Sequence, residues 1–199
     1  MASPREALLV VDMQNDFCLP DSVLCVKDAV GCLPKVVEAV EAARASGVDV
    51  VWVIRHHDPA GVDVEVFRAP MFAQGKGSTI PGTPGAELVA PLATAPGERV
   101  VVKKRFSGFF QTELDMVLRR RGVQRVTICG VQTPNCIRGT AWDAIALDYP
   151  CITVLADATA SANAAVQEAN LADMRAVAIY TPTVVEWAAQ LAGGGGGEA

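Results

Sequence analysis

The run Ala7-Leu8-Leu9-Val10-Val11, followed at once by Asp12-Met13-Gln14-Asn15-Asp16-Phe17, decides the fold. Consecutive apolar residues without polar alternation fit a strand covered on both faces, the pattern of a parallel sheet. Runs of the same kind recur at 48–54, 99–102, 126–130, 151–156 and 176–179. Helical patterns separate them. Leu33, Val36, Val37, Val40 and Ala43 share one face of a helix predicted over 29–46, which Gly47 ends. Further helices are predicted over 111–121, stopped by Gly122, over 135–147, stopped before Pro150, and over 162–174 and 183–191. This βαβα alternation predicts an α/β fold, a three-layer αβα sandwich around a six-stranded, mainly parallel sheet.

The chain has 199 residues, the size of one domain. It is read as a single domain over 1–192 with a Gly-rich, disordered tail over 193–199. Hydrophobic residues make up 51% and charged residues 20%, enough apolar side chain for a sizeable core. Seventeen Lys and Arg against 22 Asp and Glu leave a formal charge of −5, which gives no field for nucleic acid or an anionic membrane. The start, MASPREALLV, is charged too early for a signal peptide, and no apolar run approaches a membrane span, so a cytoplasmic protein is expected. Six cysteines in such a compartment are expected as free thiols. Of these, Cys129 and Cys151 fall in core strand patterns and are expected to be inert, while the spacing of Cys18, Cys25 and Cys32 is read as coincidence. Only two histidines, His56 and His57, are present, too few for a three-His metal site. The stretch 57–96 is broken by many Gly and Pro and is expected to be an excursion, either a lid or contact element or a surface loop.

In an open parallel sheet, ligands bind at the carboxyl ends of the strands. The first strand ends in Asp12, the third runs into Lys103, and the fourth is followed by Gly130-Val131-Gln132-Thr133-Pro134-Asn135-Cys136. A carboxylate, an amine and a thiol therefore converge on one edge. Each has a structural alternative: the Asp caps a turn, the Lys is solvated, the Cys fills core space. Cys136 stands out because it opens a predicted helix, where N–H groups and dipole lower a thiol pKa and can hold an oxyanion.

These residues resemble the isochorismatase-like cysteine hydrolases, which include nicotinamidases and N-carbamoylsarcosine and ureidoacrylate amidohydrolases. The likeness runs from Ala7 to about Leu191. It rests on D-x-Q-N-D-F (Asp12, Gln14, Asn15, Asp16, Phe17), K-x-R-F-S-x-F (Lys103, Arg105, Phe106, Ser107, Phe109) and G-V-x-T-x-x-C ending at Cys136. The segment 157–161 also resembles the family and is read as a structural turn. The resemblance implies strand order 3-2-1-4-5-6 and a triad of Asp12 as general base, Lys103 as stabiliser of the thiolate, and Cys136 as nucleophile. It also implies a cis peptide at Val131–Gln132 that aims the Gln132 and Cys136 N–H groups at an oxyanion.

Departures from the family narrow the chemistry. Where nicotinamidases carry a D-x-H-x-x-H metal motif, this chain reads Arg55-His56-His57-Asp58-Pro59, and adjacent histidines on an extended segment point to opposite sides. No metal and no organic cofactor is expected. The thiol argues against vinyl-ether cleavage of the true isochorismatases. The motif context resembles the ureidoacrylate and N-carbamoyl branch, which implies a small amide or ureido substrate bearing a carboxylate. Arg105, Arg138 or Arg55 is a candidate to pair with that carboxylate, with Phe17, Phe109 and Trp142 as pocket walls; a surface salt bridge is the alternative for each Arg. The family implies a homodimer or homotetramer. Two other readings stay open: a catalytically silent member that binds a metabolite or partner, and a nicotinamidase-type enzyme.

Overall fold

Five strands, β1 (Arg5–Val11), β2 (Asp49–Arg55), β3 (Arg99–Lys103), β4 (Val123–Val131) and β5 (Cys151–Ala160), pair in parallel in the order β3-β2-β1-β4-β5. The structure, a computed structural model, describes residues 5–193. β1 is the central strand and is buried throughout except at Arg5, as its unbroken apolar run requires. The tail expected over 193–199 lies, beyond Gly193, outside the described residues.

Side chains of alternate residues leave the sheet on opposite faces and build two separate apolar layers. Leu8, Val10, Val50 and Trp52 face one layer with α2 (Ala29–Ala45). Ala7, Leu9, Val11, Val51 and Val53 face the other, with Leu114 and Leu118 of α4 (Leu114–Arg120), Ala141 and Ala144 of α5 (Arg138–Ala146), and Leu171 and Met174 of α6 (Ala164–Ala176). The last helix, α7 (Val184–Ala192), returns to the first layer through Val184 and Trp187. Its start is fixed by a capping box in which Thr183 and Glu186 exchange backbone and side-chain hydrogen bonds. The buried face of α2 runs through Cys32, Val36, Ala39, Val40 and Ala43, so Leu33 and Val37 lie at its margin rather than at its centre. Among the described residues no helix is long and apolar enough to cross a membrane.

The sheet has five strands where six were expected, because residues 176–179 do not form one. α6 continues to Ala176, Ala178 takes a left-handed φ of 63°, and Ile179 is buried in the core. The chain meets β5 just after, where Tyr180 bridges Thr153 and Pro182 O accepts from Ala156 N at 2.8 Å. Pro182 has no N–H to extend that ladder. Cys18, Cys32 and Cys129 share the α2-side core, and burial pushes the thiols of Cys18 and Cys32 up to about 12, which makes them unreactive. Cys151, expected inside a strand core, is half-buried at the start of β5.

The excursion 57–96 is tied down by the segment after β1. It carries one short helix, α3 (Ala69–Ala73), and two single turns of 3₁₀ helix at Val66–Arg68 and Pro84–Ala86. In α1 (Asn15–Cys18) and just before it, three side chains hold this segment. The Gln14 amide donates to Arg55 O and Ala86 O, both at 2.8 Å, and its oxygen accepts from Arg55 N. Asn15 Nδ2 donates to Pro84 O at 2.7 Å, and Asp16 Oδ2 accepts from Thr79 N. The polar run after Asp12 is thus a clamp on the loop rather than a second set of reacting groups.

Candidate active site

Four strand ends supply the site. Asp12 follows β1 with a left-handed φ of 52°, Arg55 closes β2, Lys103 closes β3, and Cys136 lies in a single π-helical turn, Thr133–Ile137, just beyond β4. Pairing of Val53 with Val101 and Arg55 with Lys103 sets β2 and β3 in register, so their last side chains emerge side by side. Asp12, Arg55 and Lys103 are fully buried, and Cys136 is 4% exposed.

Lys103 Nζ stands 2.7 Å from Asp12 Oδ2 and 3.4 Å from Cys136 Sγ. Arg55 Nη2 approaches the same sulfur at 3.7 Å. The Arg105 carbonyl accepts from both cations, at 3.1 Å from Lys103 Nζ and 2.9 Å from Arg55 Nη2, which fixes the two against each other. Burial pushes the Cys136 thiol up, Asp12 pushes the same way, and Lys103 and Arg55 oppose them. The net direction is upward, which favours the neutral thiol at rest.

This sign leads to a measurable result. Alkylation of Cys136 by iodoacetamide follows the thiolate fraction, so its rate should still be climbing as pH passes 9.0, the ordinary value for a thiol here. A plateau reached well below that pH would mean a resting thiolate ion-paired with the cations instead.

The turn that presents the sulfur follows an unusual backbone path. Val131–Gln132 is a cis peptide. Gln132 O accepts from Asn135 N at 3.1 Å and from Ile137 N at 3.3 Å, and this pair of bonds steps over the Cys136 N–H.

The expected substrate residues divide. The Arg105 side chain is turned to the loop, donating to Asp63 O and Lys104 O. Arg138 pairs with Asp173 and Asn170 on α6 and stacks 4.4 Å over the Trp142 ring, so neither residue is brought to the sulfur. Two residues along a helix turn by about 200°, which carries Arg138 to the face opposite Cys136. Phe17 packs into the α2-side core, and Phe109 packs into the other core against Tyr149 at 5.5 Å.

Of the three candidate arginines, Arg55 is the one beside the sulfur, with the Phe106 ring 5.7 Å under its guanidinium and Glu65, from the excursion, 2.7 Å from its Nη1; Arg68 pairs with Glu65 in turn. Arg55 had a readable signal, its place at the end of a strand next to β1. Glu65 and Arg68 had none.

The histidines do not fit a metal centre. His57 Nδ1 lies 3.1 Å from Asp63, its Nε2 faces Arg55 Nη1 at 3.4 Å, and burial with the Arg55 charge pulls its pKa down to about 4. A cation there would sit against a guanidinium. Among the described residues no group of three or more His, Cys, Asp or Glu is placed to hold a metal ion.

Known proteins resemble the chain over nearly its whole length. The Isochorismatase domain model matches residues 6–185. A protein of Arabidopsis thaliana named "Probable inactive nicotinamidase" is 48% identical over 94% of this chain and 96% of its own. The ureidoacrylate amidohydrolase RutB of Azorhizobium caulinodans is 32% identical over 94% of this chain and 90% of its own. The crystal structure of an isochorismatase family protein from Desulfovibrio vulgaris superposes with a TM-score of 0.91 at 46% identity, covering 95% of this chain and 99% of that one. On a family model that spans nearly the whole sheet and relatives matched over nine-tenths of their length, the chain belongs to the isochorismatase family.

Proposed function

We propose that the chain is a cysteine-dependent hydrolase that cleaves a C–N bond of a small amide, ureido or N-carbamoyl substrate through a thioester, without an organic cofactor. The observation that carries this is the buried contact series from Asp12 Oδ2 to Lys103 Nζ, 2.7 Å, and on to Cys136 Sγ, 3.4 Å. Asp12 accepts the thiol proton as the sulfur attacks the carbonyl carbon, and returns it to the departing ammonia or amine. Lys103 offsets the charge that moves between sulfur and carboxylate. The Gln132 and Cys136 N–H groups hold the oxyanion. Water then attacks the thioester, with Asp12 as base, and frees the acid and the thiol.

The test is incubation with a panel of primary amides and ureido acids, reading ammonia release and the intact mass of the protein during turnover. An acyl adduct mapped to Cys136 is expected for the substrate. Turnover with no adduct at any time and no burst of ammonia would overturn the thioester.

A second reading is a silent member that binds a metabolite, favoured by the name of the Arabidopsis relative and by the guanidinium lying against His57. It predicts that Cys136 is labelled by thiol reagents while nothing in the panel is turned over.

A further inference from the structure

Two ion pairs meet at the sulfur. Lys103 Nζ lies 2.7 Å from Asp12 Oδ2 and 3.4 Å from Cys136 Sγ. Arg55 repeats this arrangement from the next strand end, with Nη1 2.7 Å from Glu65 Oε1 and Nη2 3.7 Å from the same sulfur. Each cation thus stands between a carboxylate and the thiol. The remaining donors of Arg55 leave it no second task. Nη1 also faces His57 Nε2 at 3.4 Å, and Nη2 also donates to Arg105 O at 2.9 Å. These contacts use the Nη hydrogens, and the last donor, Nε, is buried without a hydrogen-bond partner. The fork that would grip a substrate carboxylate, a role considered for Arg55 from the sequence, is therefore taken. Burial works against the Arg55 charge, and Cys136, Asp12 and Glu65 outweigh it, so the guanidinium is held cationic.

We propose that Arg55 is a second catalytic cation: it stabilises the Cys136 thiolate beside Lys103, and Glu65 sets how much of its charge the sulfur feels. The inference rests on the reading of Cys136 as the nucleophile. When the thiol proton passes to Asp12, that carboxylate becomes neutral and the negative charge moves to sulfur. Lys103 then changes partner from Asp12 to the thiolate, and Arg55 meets the same charge from the neighbouring strand. The charge leaves sulfur as the thioester forms and returns when water opens it, so one contact serves both halves of the reaction. Other charged groups act at one remove. Arg68 pairs with Glu65, His57 is a neutral ring against Arg55, and Arg138 on α5 is held by Asp173. Among the described residues, Lys103 and Arg55 are the cations that donate to Cys136 Sγ.

Iodoacetamide alkylation of Cys136, followed by peptide mass across pH, tests this without knowledge of the substrate. Sulfur bonds to the methylene carbon, the carbon–iodine bond breaks, iodide leaves, and the thiol proton passes to Asp12 or solvent. An opposite charge within about 4–6 Å raises the ionised fraction of a group about tenfold or more, and a more basic thiolate regains about half of that loss, on a logarithmic scale, in nucleophilicity. In Arg55→Met the rate at pH 9.0 should therefore fall about threefold or more, with the climb displaced to higher pH. Arg55→Lys should recover part of it. Glu65→Gln removes the carboxylate that offsets Arg55, so the rate should rise and the climb move to lower pH. The opposed signs separate this role from a structural one, because loosening either end of the Arg55 and Glu65 pair would change access to the sulfur in the same direction. Lys35→Met removes a positive charge on exposed α2 and should leave the rate where it was. An Arg55→Met rate equal to or above the native one, or a Glu65→Gln rate equal to or below it, would overturn the second cation. If Arg55→Met does not fold, Glu65→Gln decides by the same criterion. A native protein that is not alkylated at Cys136 at any pH would overturn the nucleophile and its second cation together. Failure of the amide panel would overturn the hydrolase reading alone, because alkylation requires no hydrolysis.

Discussion

Cys136→Ala is expected to lower turnover of the panel's substrate by about 10⁴-fold or more, and Asp12→Asn by about 10²–10⁴-fold. The two substitutions together should cost no more than Cys136→Ala alone, because a base has no work without its nucleophile. Stability separates their effects. The sulfur of Cys136 is one atom in a tight turn, whereas Asp12 is the carboxylate that stands 2.7 Å from a fully buried ammonium. Asp12→Asn leaves Lys103 charged and unpaired in the interior, a loss of about 3–5 kcal/mol. Lys103→Met strands the Asp12 carboxylate in the same way. The double variant Asp12→Asn with Lys103→Met should regain most of that stability while staying inactive. Urea unfolding of the four proteins beside their ammonia release checks this; a double variant as unstable as either single one would show that the pair is not an isolated ion pair.

The three residues of this proposed triad stood out in the sequence because Asp12 and Lys103 follow directly on apolar runs and Cys136 follows the fourth run by one short turn. A parallel strand buried on both faces is hard to mistake, and the residue at its carboxyl end has one place to go. The sixth strand was misread for the same reason. Val177, Ala178 and Ile179 are apolar, yet they form a helix end, a left-handed turn and a core anchor, and periodicity over so few residues does not tell these from a strand. Helix starts were blurred likewise: the helix expected from 111 begins at Leu114, after Gln111 takes a φ of 53°.

Beyond Arg55, the surroundings of the sulfur were not legible. Glu65 reaches Arg55, and Arg68 reaches Glu65, on an excursion whose path is set by distant hydrogen bonds that involve Gln14, Asn15 and Asp16, and no local pattern encodes such a path. Arg138 and Trp142 were drawn in by closeness to Cys136 in the chain. Helical geometry turned them towards α6 instead.

Gly130→Ala is expected to be the most damaging single-atom-scale change in the protein. Gly130 pairs with Val11 across β4 and β1 and has a φ of 110°, outside the range of ordinary L-residues. A Cβ built there would lie 2.1 Å from Val11 O and 2.9 Å from Val11 N, both backbone atoms of the central strand. No side chain can rotate away to make room. Either the two strands part at the point where one leads into Asp12 and the other into the Cys136 turn, or the residue abandons its conformation. Losses above about 4 kcal/mol come from such clashes and are uncommon. Gly122→Ala supplies the comparison, since Gly122 has a φ of 72° with nothing within 4 Å of the new Cβ. That variant bears only the cost of a left-handed alanine, about 1–2 kcal/mol. If urea unfolding finds the two variants equally stable, the close approach of β1 and β4 is not what demands glycine at position 130. If Gly130→Ala alone unfolds, or folds with the Cys136 alkylation rate altered, the strand ends that hold Asp12 and the thiol act as one rigid unit. In that case the spacing between Asp12 and Cys136 is set by backbone contact before any side chain is placed.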